Sequence, residues 1–285
     1  MNAREGVTSA AAAAVSKWYD AAMRRLLSTL VVALMLGAAI QAADEPPALA
    51  KARTLYNAGS YDEAIAAASE VRSTEWLAAA QMVIARSYLD RYRRSSQPDD
   101  LVAGRRALVA AAGAPLVPRD RVDLLVGLGQ SLYFSDEFGA AAGVFDNALA
   151  QGFLLNRQDR LLLLDWWATA EDRAAQAHVT DRPSRFERLR VRMEEELRRD
   201  AENPIANYWL VVAARGSGDI QGAWDAAVAA WVRSRLFSDG ADTLRADLDR
   251  LVTQAIIPER SRLQKDADAG RALRDQWDSI KEQWK

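Results

Sequence analysis

The sequence predicts an all-α fold, a stack of helical pairs, and three observations carry that expectation. Alanine, leucine and arginine abound while proline occurs only eight times in 285 residues, a mix that favours helix nearly everywhere. The alternating Val/Ile/Thr runs that strands require are missing. Small and aromatic residues recur with the spacing of helix pairs, the mark of an internal repeat. Half of the residues are hydrophobic, enough for a sizeable core, and the length allows one extended domain or two compact ones.

The first 43 residues differ from the rest. Arg24 and Arg25 precede an apolar run over residues 26–40, and small residues follow until Asp44-Glu45-Pro46-Pro47. A basic start, a short apolar core and a small-residue exit describe a secretory signal peptide. Cleavage is expected after Ala42 or Ala39, with Met23 as a possible true start. The run is shorter than the ~20 residues of a spanning helix. The alternative is an uncleaved membrane anchor over residues 26–40. The export reading places the chain in the periplasm or outside the cell.

The repeat follows. Leu128-Gly129, Leu132-Tyr133, Phe138, Ala141, Phe145 and Ala148 have the spacing of two crossing helices. Gly129 and Ala141 let the helices approach, and Phe138 and Phe145 fill the gap. This pattern resembles the tetratricopeptide consensus, a unit of about 34 residues, here over residues 122–155. Residues 45–77 match with Ala52, Leu55-Tyr56, Gly59, Tyr61, Ala64, Ala68 and Val71. There Ser60 and Glu63 have the form of a capping box. Residues 78–121 carry Ile84-Ala85, Tyr88, Ala103, Ala107 and Ala110, with the polar residues 93–98 as an insertion between helices. Residues 204–237 carry Leu210, Ala214, Gly218-Asp219, Ala223, Ala227 and Ala230, with Asp219 placed as an N-cap.

Between them, residues 156–203 leave room for a degenerate, elongated pair. Its helices are expected from Arg160 to about His178 and from Arg185 to Arg199, with Ser184 and Glu187 as a second capping box. Beyond the last unit, residues 238–285 hold two capping helices. Leu244, Leu248, Leu251, Val252, Ala255 and Ile256 form one stripe, which Pro258 is expected to stop. Leu273, Trp277, Ile280 and Trp284 form another. The fold expected from the resemblance is an α-solenoid of about five tetratricopeptide-like hairpins, capped at the C-terminus.

Chemistry is sparse. Cysteine is absent, which excludes disulfides, thiolate nucleophiles and Cys-ligated metals. The single histidine, His178, sits near a helix end, where the helix dipole accounts for it. Glu194-Glu195-Glu196 lies among arginines and reads as a surface of i,i+4 pairs such as Glu194–Arg198 and Glu195–Arg199. Gly127-Leu128-Gly129 falls inside a helix, and Gly216-Ser217-Gly218 reads as a turn rather than a nucleophile site. Most of the nine tryptophans fall on apolar helix faces, so core packing is expected over an aromatic cage. The net charge of -2 carries no nucleic-acid footprint. No catalytic residue, metal or cofactor is expected.

The resemblance implies that the first helix of each pair lines a concave groove. On that basis Leu49, Arg53, Tyr56 and Asn57 line it in the first unit, and Met82, Arg86, Leu89 and Asp90 in the second. Val126, Gln130, Tyr133 and Phe134 do so in the third, and Tyr208, Val212 and Arg215 in the last. An apolar and aromatic stripe bordered by Arg and amides suits an extended peptide or an amphipathic helix. The Lys/Asn clamp that some members use for a C-terminal carboxylate is not reproduced. The function implied is a non-catalytic protein–protein interaction scaffold or assembly factor of the cell envelope, with a protein or peptide partner. An envelope glycan-binding or hydrolytic protein, and a structural subunit of a larger complex, are the alternatives. The concave face is open unless the C-terminal helix folds back to fill it.

Overall fold

The computed structural model describes residues 45–114, 116–264 and 268–285. The signal-peptide or anchor segment lies outside them. All regular structure among the described residues is helical. The first helices are α1 (Pro47–Asn57), α2 (Tyr61–Ser69), α3 (Leu77–Ser95) and α4 (Pro98–Ala112). Next come α5 (Pro118–Tyr133), α6 (Phe138–Ala150), α7 (Arg157–Ala177) and α8 (Arg182–Arg199). The chain closes with α9 (Pro204–Gly216), α10 (Ile220–Arg233), α11 (Ala241–Leu251), α12 (Ile257–Gln264) and α13 (Ala269–Gln283).

Local chemistry sets these boundaries. Proline stands in the first turn of α1, α4, α5, α8 and α9, where its fixed φ suits a helix start and its missing N–H costs nothing. Asp219 caps α10 as expected, accepting from the Gly222 amide at 2.8 Å. Asn156 and Asn203 do the same for α7 and α9. The two expected capping boxes do not form. Ser60 makes no side-chain cap bond, and Glu63 is exposed. In the other case α8 starts earlier, so Ser184 lies inside its first turn and donates to the Asp181 carbonyl at 2.8 Å. Glu187 turns instead to Arg190 at 2.6 Å.

Packing follows chain order. Each helix from α1 to α10 packs on the next, and the odd-numbered helices α1, α3, α5, α7, α9 and α11 also pack successively on one another. Glycines set the closeness within this arrangement. A Cβ at Gly127 would come within 2.7 Å of Leu108, and one at Gly129 would overlap the Phe145 ring. Bulky side chains therefore fit only because these two positions have none.

Two expectations about length change. Residues 93–95 are not part of an inserted loop: α3 runs on to Ser95, and the turn is only Ser96, at φ 56°, and Gln97. Nor does Pro258 end its helix. A π turn over Val252–Ile256 joins α11 to α12, and the Ile257 amide reaches back to the Val252 carbonyl. The wider turn makes room for the proline ring, which would otherwise meet the carbonyl four residues earlier. It also rephases the apolar stripe, so Ile256 and Ile257 are buried while Ala255 is only half-buried.

The charged face of α8 is paired differently from the expected spacing. Arg190 bonds Glu187 and Glu194. Glu196 is buried and held by Arg160 of α7 at 2.5 Å and by Arg199. A buried carboxylate needs such partners because desolvation is costly.

Candidate functional site

Every sequence-predicted groove residue lies on an odd-numbered helix or at its end. Leu49, Arg53, Tyr56 and Asn57 belong to α1, and Met82, Arg86, Leu89 and Asp90 to α3. Val126, Gln130 and Tyr133 belong to α5 with Phe134 at its C-cap; Tyr208, Val212 and Arg215 belong to α9. Leu49, Met82, Leu89 and Val212 are buried in the core, and the others are half-buried.

These residues form three groups. In the first, the Tyr56 hydroxyl donates to Asp90 at 2.7 Å, while Arg86 lies 4.9 Å over the Tyr56 ring. Arg93 pairs with Asp90 at 3.0 Å and Arg53 with Glu45 at 3.1 Å. Burial pushes the Tyr56 hydroxyl well above the usual phenol range, and the neighbouring Arg86 cation opposes that rise. The phenol therefore stays a proton donor, which fixes the direction of its bond to Asp90.

Aromatic contact defines the second group. Tyr133 meets Phe138 at 5.1 Å and Trp166 at 5.3 Å, both edge-on. Phe134 packs on Tyr92 at 5.2 Å. Such edge-to-face pairs add to the burial of the rings themselves. Tyr133 and Phe134 thus join α3, α5, α6 and α7 to one another as much as they face outward.

The third group is centred on Tyr208. Trp209 donates its indole N–H to Asp165 at 2.7 Å. Arg215 forms a bidentate pair with Glu259 of α12, the shortest distance being 2.6 Å. Burial pushes Asp165 up to about 6; the Trp209 bond restrains it and the Asp247 charge adds to it. Burial also raises the Tyr208 hydroxyl, reinforced by Asp247, Asp172 and Asp165 and opposed by Arg215.

Sequence reasoning did not find Asp165, Asp247 or Glu259. Asp165 sits in the pair with the weakest repeat match, and the other two lie beyond the last unit. The signal available was an Asp directly before Trp166-Trp167 on a helix otherwise apolar there. Nor did it find Arg119, which donates to the Leu154 carbonyl at 2.9 Å and pairs with Asp159 at 2.5 Å.

The tryptophans are core. Trp166, Trp167, Trp209, Trp224, Trp231 and Trp277 are buried, and only Trp284 of this cluster is exposed. Trp277 packs on Trp231 at 5.3 Å and Trp224 at 5.9 Å, so α13 sits against α10 and α12. His178 is the exposed C-cap of α7. Gly216-Ser217-Gly218 is the turn between α9 and α10, with Gly218 at φ 88°. Among the described residues no group of three His, Asp or Glu side chains is placed to hold a metal ion. No family model, curated protein or solved structure matches the chain.

Proposed function

We propose that the chain is a non-catalytic protein–protein interaction scaffold or assembly factor of the cell envelope. In this reading it is a tetratricopeptide-like α-solenoid that holds a peptide or helix against its odd-numbered helices. One observation supports this most. The odd-numbered helices pack successively on one another, and the even-numbered helices α2 to α8 have no comparable succession. That arrangement favours a curved stack with the odd layer on the inside. On this layer Arg53, Asn57, Arg86, Asp90, Gln130, Tyr208 and Arg215 keep part of their surface open to solvent, enough to offer donors and acceptors to an extended ligand.

Photo-crosslinking in cells tests this directly. A crosslinking amino acid at Asn57 or Gln130 should trap a discrete partner, and one at Val109, exposed on α4, should not. Trapping at Val109 alone would move the binding surface to the outer helices and end the groove assignment. Tyr56 and Tyr133 are poor test positions, since they hold Asp90 and the aromatic cluster.

A further inference from the structure

Several buried carboxylates of this chain carry their own arginines. Asp100 bonds Arg91, Glu171 is held by Arg185 and Arg188, and Glu196 by Arg160 and Arg199. Asp165 departs from this pattern. Among the described residues its carboxylate accepts from the Trp209 indole N–H at 2.7 Å, and no arginine or lysine pairs with it. An indole donor is served equally by a neutral amide oxygen. The fold therefore uses the oxygen of Asp165 and makes no use of its charge.

That charge faces a recess. Asp165 and Asp172 stand two helical turns apart on α7, on one face, and Asp172 is held by Gln176 at 2.6 Å. Helix α9 packs on both α7 and α11 and carries Tyr208, on whose hydroxyl the charges of Asp165, Asp172 and Asp247 all act. The hydroxyl makes no hydrogen bond among the described residues, while its ring packs edge-on against Trp209 at 5.6 Å. Burial raises Asp165, Tyr208 and Asp247 alike above their ordinary values, yet each keeps part of its surface open. Groups that are crowded and still reachable line a recess rather than a sealed core. The cations beside them are engaged: Arg250 pairs with Asp247 at 3.3 Å, and Arg215 with Glu259.

These carboxylates are spread over two helices, and no group of three among the described residues is placed to hold a metal ion. A guanidinium or ammonium on a long stem suits them better. It brings several N–H donors at once, gains most from an ionised acceptor, and leaves a donor for the phenol oxygen. We propose that this recess takes a basic side chain, arginine or lysine, of the segment held on the odd-numbered layer. Asp165 supplies the countercharge, the Tyr208 oxygen a second acceptor, and Asp172 and Asp247 the surrounding negative field. This rests on the scaffold reading above and adds what the bound segment carries.

The Trp209 indole N–H is a reporter already in place, because it is bonded to the carboxylate in question. The full chain with isotope-labelled tryptophan is titrated with the acetylated amides of arginine, lysine and norleucine and followed by NMR. The resonance missing from Trp209→Phe identifies the reporter. The two basic amides should shift it saturably and bind about tenfold tighter than norleucine, which has the stem without the charge. Asp165→Asn, which keeps an acceptor for Trp209, and Tyr208→Phe should each remove most of that preference. In cells, Asp165→Asn should also lower trapping of a partner at Gln130 several-fold. An equal response to norleucine, or a preference undiminished in Asp165→Asn, would overturn the proposal. The titration needs no partner, so its failure is distinct from an absence of trapping at Asn57 and Gln130, which strikes the scaffold reading itself.

Discussion

At Asp165 a half-buried carboxylate accepts a hydrogen bond from the Trp209 indole among packed helices. Burial penalises the charged form, so its folded value of about 6 exceeds the ordinary 3.8. A carboxyl with a raised folded pKa favours the native state while protonated. That contribution is fully present below about pH 4, falls between about 4 and 6, and is absent above. The shift corresponds to about 1–3 kcal/mol once partial solvent access is allowed for. Asp165→Asn keeps an acceptor for Trp209 and carries no charge. Its thermal midpoint should exceed the parent's at about pH 7.5, with the gain shrinking toward about pH 4. Thermal unfolding across that range checks this; a gain independent of pH would mean the carboxylate is not the titrating group.

At the scale of one helix, Pro258 shows how a local rule can be met in an unforeseen way. Reading proline as a stop is sound for a regular helix, because the ring meets the carbonyl one turn earlier. The π turn over Val252–Ile256 lengthens that turn by one residue and lets Ile256 and Ile257 join the core. Deleting the exposed Gln254 should close the turn to regular α geometry and bring back the clash, costing about 3 kcal/mol. Combining the deletion with Pro258→Ala should recover most of it, as denaturant unfolding of both variants would reveal. If the double variant is no better than the deletion, the π turn serves packing alone. The helices were legible in the sequence because their signals are local: proline in a first turn, Asp219 as a cap, small residues at close approaches. What escaped depended on distant partners. Whether Ser60 caps, whether residues 93–95 stay helical, and which arginine takes Glu196 depend on neighbours brought in by packing. The site was legible to a lesser degree. The resemblance put Tyr56, Arg86 and Asp90 on first helices of successive units, and the three side chains do meet. It could not foresee that Tyr133 packs on Trp166, or that α7 supplies Asp165.

Across the whole molecule, the buried apolar residues fall into two clusters that meet at α5. One runs from Leu49 in α1 to Leu124 in α5, and the other from Val122 to Trp277 in α13. Phe134 packs against both. Helices α1 to α10 each pack on the next in the chain, and where contacts are mainly between such neighbours stability is close to a sum of local terms, so damage at one end need not reach the other. Trp277 is the test of this. It is fully buried, meets Trp224 and Trp231, and donates its indole N–H to Asp249 at 2.8 Å. Trp277→Ala removes a large ring and leaves a cavity, at a cost of about 3–5 kcal/mol. Because α13 packs on α10 and α12, that loss should appear first as opening of α10 to α13, with amides there exchanging faster. Amides of α1 to α4, whose core contains no atom of the damaged cluster, should keep their protection. Native-state hydrogen exchange on the two proteins separates the cases. Faster exchange confined to the C-terminal helices fits a stack of semi-independent pairs. An equal rise in every helix would mean that α5 couples both clusters into one cooperative unit, and that the neighbour-by-neighbour account of this fold fails.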